Sequence, residues 1–176
     1  MSTDKADSSI SLTLTVNGIQ YQATAEPRRL LSDFLREDCG MKGVKVSCDI
    51  GICGACTVLM GGELVRSCLM LAVQADGEDL VTVEGLSSGS VLSTIQEAFW
   101  DCHALQCGFC TPGMLIAAHH LLEKNSNPTD GEIRSAISGN LCRCTGYTHI
   151  VRAIRVAAER MRNEVVKHPV LKRASP

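Results

Sequence analysis

The sequence predicts an α+β chain in two parts, a β-rich first half followed by an all-α second half of four helices. Three observations carry this reading. Leu12, Leu14 and Val16 alternate with Ser11, Thr13 and Thr15, the period of a half-buried strand. Beyond Glu84 that period gives way to helical stripes. Within the first half lies a glycine- and cysteine-rich loop over residues 39–56, too irregular for strand or helix.

Taken in order, the first strand starts at Ile10 and ends at Asn17-Gly18, a dipeptide suited to a tight hairpin turn. Ile19, Tyr21 and Ala23 form the return strand. Leu30, Leu31, Phe34 and Leu35, just after Pro27, share one helical face. Residues 57–60 read as a strand, Gly61-Gly62 as a turn and 63–68 as a further strand. Asp76-Gly77 turns the chain into a short strand over 80–83, which completes an α+β pattern. Residues 85–90 (GLSSGS) read as a linker.

In the second half, Leu92, Ile95, Phe99 and Cys102 form one stripe. Thr111-Pro112 reads as a capping residue before a proline at the first helical position, opening a helix that runs to about Lys124. Residues 125–128 break it. Thr129 with Glu132 is a capping box, and Gly139 reads as the stop after Ile137. The last helix starts near Tyr147 and carries Ile150, Val151, Ile154, Ala157, Ala158 and Met161 on one face. The division this implies is residues 10–84, residues 91–165, and polar tails at 1–9 and 166–176.

Composition bounds the function. Of 176 residues 45% are apolar, enough for packed cores, while aromatics at 3% leave few platforms for stacking nucleic-acid bases. A net charge of −2 argues against a polyanionic partner, so no nucleic acid is expected. The longest apolar runs, such as residues 69–73, are far too short for membrane insertion. The polar opening residues lack the apolar stretch of a secretory signal, which points to the cytoplasm.

Ten cysteines dominate the chemistry. In a reducing compartment, cysteine richness favours metal binding over disulfides. Cys48-x4-Cys53-x2-Cys56, followed by Cys68, has the spacing of a plant-type [2Fe–2S] loop whose fourth ligand arrives from elsewhere in the fold. Gly51 and Gly54 let the loop curl so that amide N–H groups face the sulfurs. Zinc prefers paired short spacings without this glycine pattern. The second group, Cys107-x2-Cys110 and Cys142-x-Cys144, could on spacing alone hold zinc or a second cluster. Its placement at helix starts, where free N–H groups and partial positive charge suit an anionic cluster, favours the cluster.

Residues 48–58 (CDIGICGACTV), 106–114 (QCGFCTPGM) and 138–147 (SGNLCRCTGY) resemble the iron–sulfur subunit of the molybdenum hydroxylases, over about residues 10–160. That family includes xanthine dehydrogenase, aldehyde oxidoreductases and aerobic carbon monoxide dehydrogenase. The resemblance implies a β-grasp ferredoxin-like domain followed by a four-helix domain, each with one [2Fe–2S] cluster. It implies that Cys107, Cys110, Cys142 and Cys144 hold the cluster nearer molybdenum. Cys48, Cys53, Cys56 and Cys68 then hold the one nearer the next acceptor. It further implies that Gln106 hydrogen-bonds the pterin of a molybdenum cofactor held by a large partner subunit, with Cys144 close to the same pterin. The expected acceptor is FAD on a medium subunit, or a cytochrome. Ser47 departs from the glycine many relatives carry before the first ligand, which leaves ligation intact.

The reading is therefore an electron-transfer subunit with no substrate-converting residues of its own. No G-x-G-x-x-G follows a strand, so no nucleotide site is expected on this chain. The rivals are a free-standing two-cluster ferredoxin and a zinc-stabilised interaction module. Cys102 lies on an apolar stripe and Cys39 matches no ligand position, so both read as packed thiols. His119 and His120 read as packed or surface residues. Residues 152–176 carry seven Lys/Arg against two acids, either a solvated helix face with a tail or a docking surface for an acidic partner subunit.

Overall fold

The computed structural model describes residues 9–167 of the chain. β1 (Ile10–Val16) and β2 (Ile19–Ala25) pair antiparallel around Asn17 and Gly18, whose φ angles of 54° and 79° are the left-handed values a two-residue hairpin turn requires. α1 (Leu31–Glu37) follows. Then come β3 (Thr57–Met60), β4 (Glu63–Arg66) and β5 (Asp79–Val81). They form one mixed sheet in the order β2-β1-β5-β3-β4, with β1 parallel to β5 and the other pairs antiparallel. Alternate residues Leu12, Leu14 and Val16 face the same core as Leu31, Phe34 and Leu35 of α1, so the period-2 and helical patterns meet in one apolar cluster.

The second half consists of α2 (Thr94–Asp101), α3 (Thr111–Lys124), α4 (Asp130–Ala136) and α5 (Thr148–Lys167). Phe99, Met114, Ile133, Ile150 and Ile154 are fully buried in a second, separate core. α4 opens on a reciprocal cap: the Glu132 amide donates to Thr129 Oγ1 at 3.3 Å and the Thr129 amide to Glu132 Oε2 at 2.7 Å. Arg155 of α5 pairs with Asp130, and Arg160 with Asp101 at 2.8 Å, tying α5 to its neighbours. Across the seam, Lys124 reaches Glu63 of β4 at 2.8 Å. His120 lies 3.7 Å from the same carboxylate and His119 3.4 Å from Glu123, so both histidines sit in surface polar contacts. Among the described residues no helix is long and apolar enough to cross a membrane.

Six local expectations are corrected. β4 stops at Arg66 and the chain turns through a 3-10 segment, Ser67–Leu69, because Ser67 turns inward and binds the Cys56 carbonyl. β5 stops at Val81 because both polar groups of Asn17 are spent on Thr82, which ends the ladder. The expected linker begins with a 3-10 turn, Val83–Leu86, whose Val83 and Leu86 pack on the helical core. Leu92 is 45% exposed and leaves the α2 stripe to Ile95, Ala98 and Phe99. Thr111 does not cap α3: Cys110 occupies that position, Pro112 falls one place later, and the Thr111 hydroxyl is buried without a partner. Nor does Gly139 end α4 as a left-handed cap. The helix closes through Ile137, and the Gly139 carbonyl instead accepts from the Arg66 guanidinium at 2.8 Å.

Candidate metal centres

The segment between α1 and β3 has no regular structure, and Gly51 and Gly54 take φ of 74° and 73° within it. This curls the backbone so that the Cys53 amide donates to Cys48 Sγ at 3.4 Å. With further amides of Ile50 and Ile52 directed at the same sulfur, the Cys48 thiol is pulled down to about 6. The β3–β4 hairpin brings in the other two thiols. Thr57 stands opposite Arg66, so the residues just beyond that pair, Cys56 and Ser67-Cys68, also meet. Burial, together with a hydrogen bond to Cys56, pushes the Cys68 thiol up to about 11.

The second quartet sits on two loops that precede helices. Cys107 and Cys110 lie between α2 and α3, and Cys142 and Cys144 between α4 and α5. Cys107 Sγ and Cys144 Sγ are 3.6 Å apart, and both residues are exposed. Burial and the neighbouring Cys142 thiol push Cys110 up to about 12. Burial also works against a Cys142 thiolate, but the Thr145 hydroxyl at 3.2 Å and the Thr145 amide at 3.4 Å outweigh it and hold this thiol below its usual range. The Cys142 amide in turn donates to the Tyr147 hydroxyl at 2.9 Å, which fixes the loop against the start of α5.

The thiols are thus arranged in pairs: Cys48 with Cys53, Cys56 with Cys68, Cys107 with Cys144, Cys110 with Cys142. Among the described residues no three His, Cys, Asp or Glu side chains converge on one point as ligands of a single ion. Two thiols per metal atom and two pairs per site is the donor set of a two-iron cluster, and amides aimed at Cys48 and Cys142 suit an anionic sulfur centre. The residues present fit the group.

The two quartets are joined directly. The Leu141 amide, one residue before Cys142, donates to the Cys53 carbonyl at 2.8 Å. Asn140 is 2% exposed, and its side-chain amide donates to the Gly54 carbonyl at 2.9 Å and Thr57 Oγ1 at 3.1 Å. Arg66 spans the same gap, from Thr57 Oγ1 at 2.5 Å to the Gly139 carbonyl at 2.8 Å. A Cβ on Gly54 would lie 2.3 Å from the Gly139 carbonyl, and one on Gly113 would lie 2.3 Å from the Gly54 carbonyl. The sequence reading missed Asn140 and Arg66. Their only signal was position, Asn140 two residues before one ligand candidate and Arg66 two before another.

Of the remaining candidates, Gln106 is exposed next to Cys107, with Phe109 44% exposed beside them. Cys102 is buried in the helical core and Cys39 in the sheet core, where burial pushes the Cys39 thiol up to about 11. Ile50, Ile52 and Leu69 form an exposed apolar rim around the first quartet. The basic segment after Arg152 is described only to residue 167; its last nine residues lie outside the described residues.

Two family models match in tandem: a 2Fe-2S iron-sulfur cluster binding domain over residues 14–93 and a [2Fe-2S] binding domain over residues 82–155. The nicotine 6-hydroxylase small subunit of Paenarthrobacter nicotinovorans is 49% identical over 164 residues, covering 93% of this chain and 99% of its own. The xanthine dehydrogenase iron-sulfur-binding subunit of Escherichia coli O157:H7 is 46% identical, covering 82% of this chain and 92% of its own. Among solved structures, a chain of quinoline 2-oxidoreductase from Pseudomonas putida 86 superposes with a TM-score of 0.86 at 48% identity, covering 89% of this chain and 98% of that one.

Proposed function

The chain belongs to the family of iron–sulfur small subunits of the molybdenum hydroxylases, and on that premise we propose that it relays electrons from a molybdenum cofactor held by a large partner subunit to an acceptor on another subunit. Bound to the two cysteine quartets, [2Fe–2S] clusters supply one-electron redox chemistry. The chain's residues hold the clusters, tune them through amide hydrogen bonds and separate them by a fixed distance. The ligands are Cys48, Cys53, Cys56 and Cys68 in residues 10–84, and Cys107, Cys110, Cys142 and Cys144 in the four-helix domain of residues 91–165.

The observation that carries the direction of flow is the contrast in exposure within the second quartet. Cys107 and Cys144 are exposed, whereas Cys110 and Cys142 are drawn inward, with Cys142 next to the Leu141 amide that contacts Cys53. Entry is therefore at the outer pair, where the exposed Gln106 amide both donates and accepts and can pair with a pterin edge without adding charge. Exit is at the first quartet, whose rim of Ile50, Ile52 and Leu69 suits an apolar docking face for a subunit carrying FAD or, failing that, a cytochrome. None of the ten cysteines is in a disulfide, in keeping with the cytoplasm.

Anaerobic purification of the intact complex tests the reading. Substrate added to the complex should bleach the visible absorption of the clusters, and substrate added to the isolated chain should not. Iron clusters on a chain that copurifies with no molybdenum-containing subunit would support a free-standing ferredoxin instead.

A further inference from the structure

We propose that Asn140 is the positioning residue that sets the gap between the two clusters, and with it the strength of their electronic coupling; the inference rests on the two-cluster reading above. Three ligand-bearing segments meet at this side chain. Gly54 lies between Cys53 and Cys56, Gly113 three residues after Cys110, and Asn140 two before Cys142. Cβ atoms built on Gly54 and Gly113 would lie 2.8 Å and 3.0 Å from Asn140 Nδ2, so the amide is gripped on both sides by backbone that has no room to give.

The chemistry of the contact is specific. Gly54 O already accepts the Thr57 hydroxyl at 2.5 Å, and Thr57 Oγ1 accepts from Arg66 at 2.5 Å. The Gly54 carbonyl also takes the Thr57 amide at 3.2 Å, and the two hydrogens of a single NH2 group add one further donor to each oxygen, at 2.9 Å and 3.1 Å. A hydroxyl has one hydrogen to offer, and a carboxylate has none. At the other end, the Asn140 amide donates to the Ile137 carbonyl at 2.9 Å, which anchors the residue to the end of α4. The short, doubly bonded side chain therefore acts as a spacer of fixed length between the Cys53–Cys56 turn and the strand of chain leading to Cys142. The Leu141–Cys53 hydrogen bond, immediately beside it, keeps its length only while that spacer holds. Magnetic coupling between two reduced clusters falls steeply with their separation, so it reports this gap directly.

The experiment compares the parent chain with Asn140→Leu, Asn140→Ala and a control, Thr82→Val. Thr82 is equally buried and bonded, to Asn17 and Glu84, but lies away from both quartets. Iron is counted first. Fewer than four irons in the fully loaded parent would overturn the two-cluster reading and this inference with it. With four irons present, both clusters are reduced chemically and the splitting of their low-temperature paramagnetic signals is recorded. The expected result is that both Asn140 variants keep four irons and lose most of the splitting, the leucine more than the alanine because it also wedges the gap, while Thr82→Val matches the parent. Unchanged splitting in iron-replete Asn140 variants would overturn the proposal. So would loss of a cluster in both, which would make the residue a requirement for cluster retention instead of a spacer.

Discussion

The hydroxyl of Ser67 donates to the carbonyl of Cys56 at 2.8 Å in the fully buried interior of the first half. It holds the 3-10 turn that carries Cys68 against the residue preceding β3. Ser67→Ala removes a buried hydrogen bond worth about 1 kcal/mol. The fold should persist, and a chelator should strip the first cluster faster while the second keeps the parent's rate. Equal rates for both clusters would show that Ser67 does not position Cys68.

Cluster content is the plainest expectation. Two sets of four thiols, each set in two pairs, imply about four irons and four labile sulfides per chain. The surroundings differ, with three backbone amides on Cys48 and a threonine amide and hydroxyl on Cys142, so reduction should give two resolvable paramagnetic signals. Iron near two per loaded chain would leave one quartet without a cluster.

The spare thiols separate ligation from packing. Cys102→Ala should keep both clusters and cost roughly 1 kcal/mol, because only one small buried group is lost. Cys53→Ala and Cys110→Ala should each abolish one of the two signals and leave the other. If Cys102→Ala loses iron without unfolding, the ligand set has been misassigned.

Gln106 tests the entry point. Gln106→Ala and the similarly sized Gln106→Leu should leave both signals unchanged in the isolated chain. In the assembled enzyme they should slow cluster reduction by substrate several-fold or weaken retention of the molybdenum cofactor, in line with about 1–2 kcal/mol for a buried hydrogen bond. Variants that retain molybdenum and turn over like the parent would remove Gln106 from the entry point.

The sequence revealed what is locally encoded. Strand β1, the Asn17-Gly18 turn and the face of α5 follow from period and turn chemistry, and the two cysteine quartets follow from spacing. Spacing does not say which thiol meets which, because the pairing of Cys56 with Cys68 depends on the β3–β4 register, and that of Cys107 with Cys144 on how two loops are packed. Thr111 shows the limit of a local rule. A threonine before proline reads as a cap, yet here Cys110 adopts the capping position and the threonine begins the helix. Gly139 shows the same limit, since its carbonyl serves an arginine 73 residues away and not a helix stop.

The hydrogen bond from Asn140 to Gly54 spans 86 residues of sequence and crosses from one hydrophobic core to the other. Each half has its own core, which invites dissection at the connecting segment, but a cut there strips partners from the groups around the buried Gly54 and Asn140. The Gly54 and Cys53 carbonyls would each lose a donor, and Asn140 would be left on a bare surface beside Cys142. A half transplanted into another protein would carry that unsatisfied face with it. The exchangeable unit is therefore the pair of halves together, and any engineered shuffling of this electron relay has to move residues 54, 57, 66, 113 and 139–141 as one block.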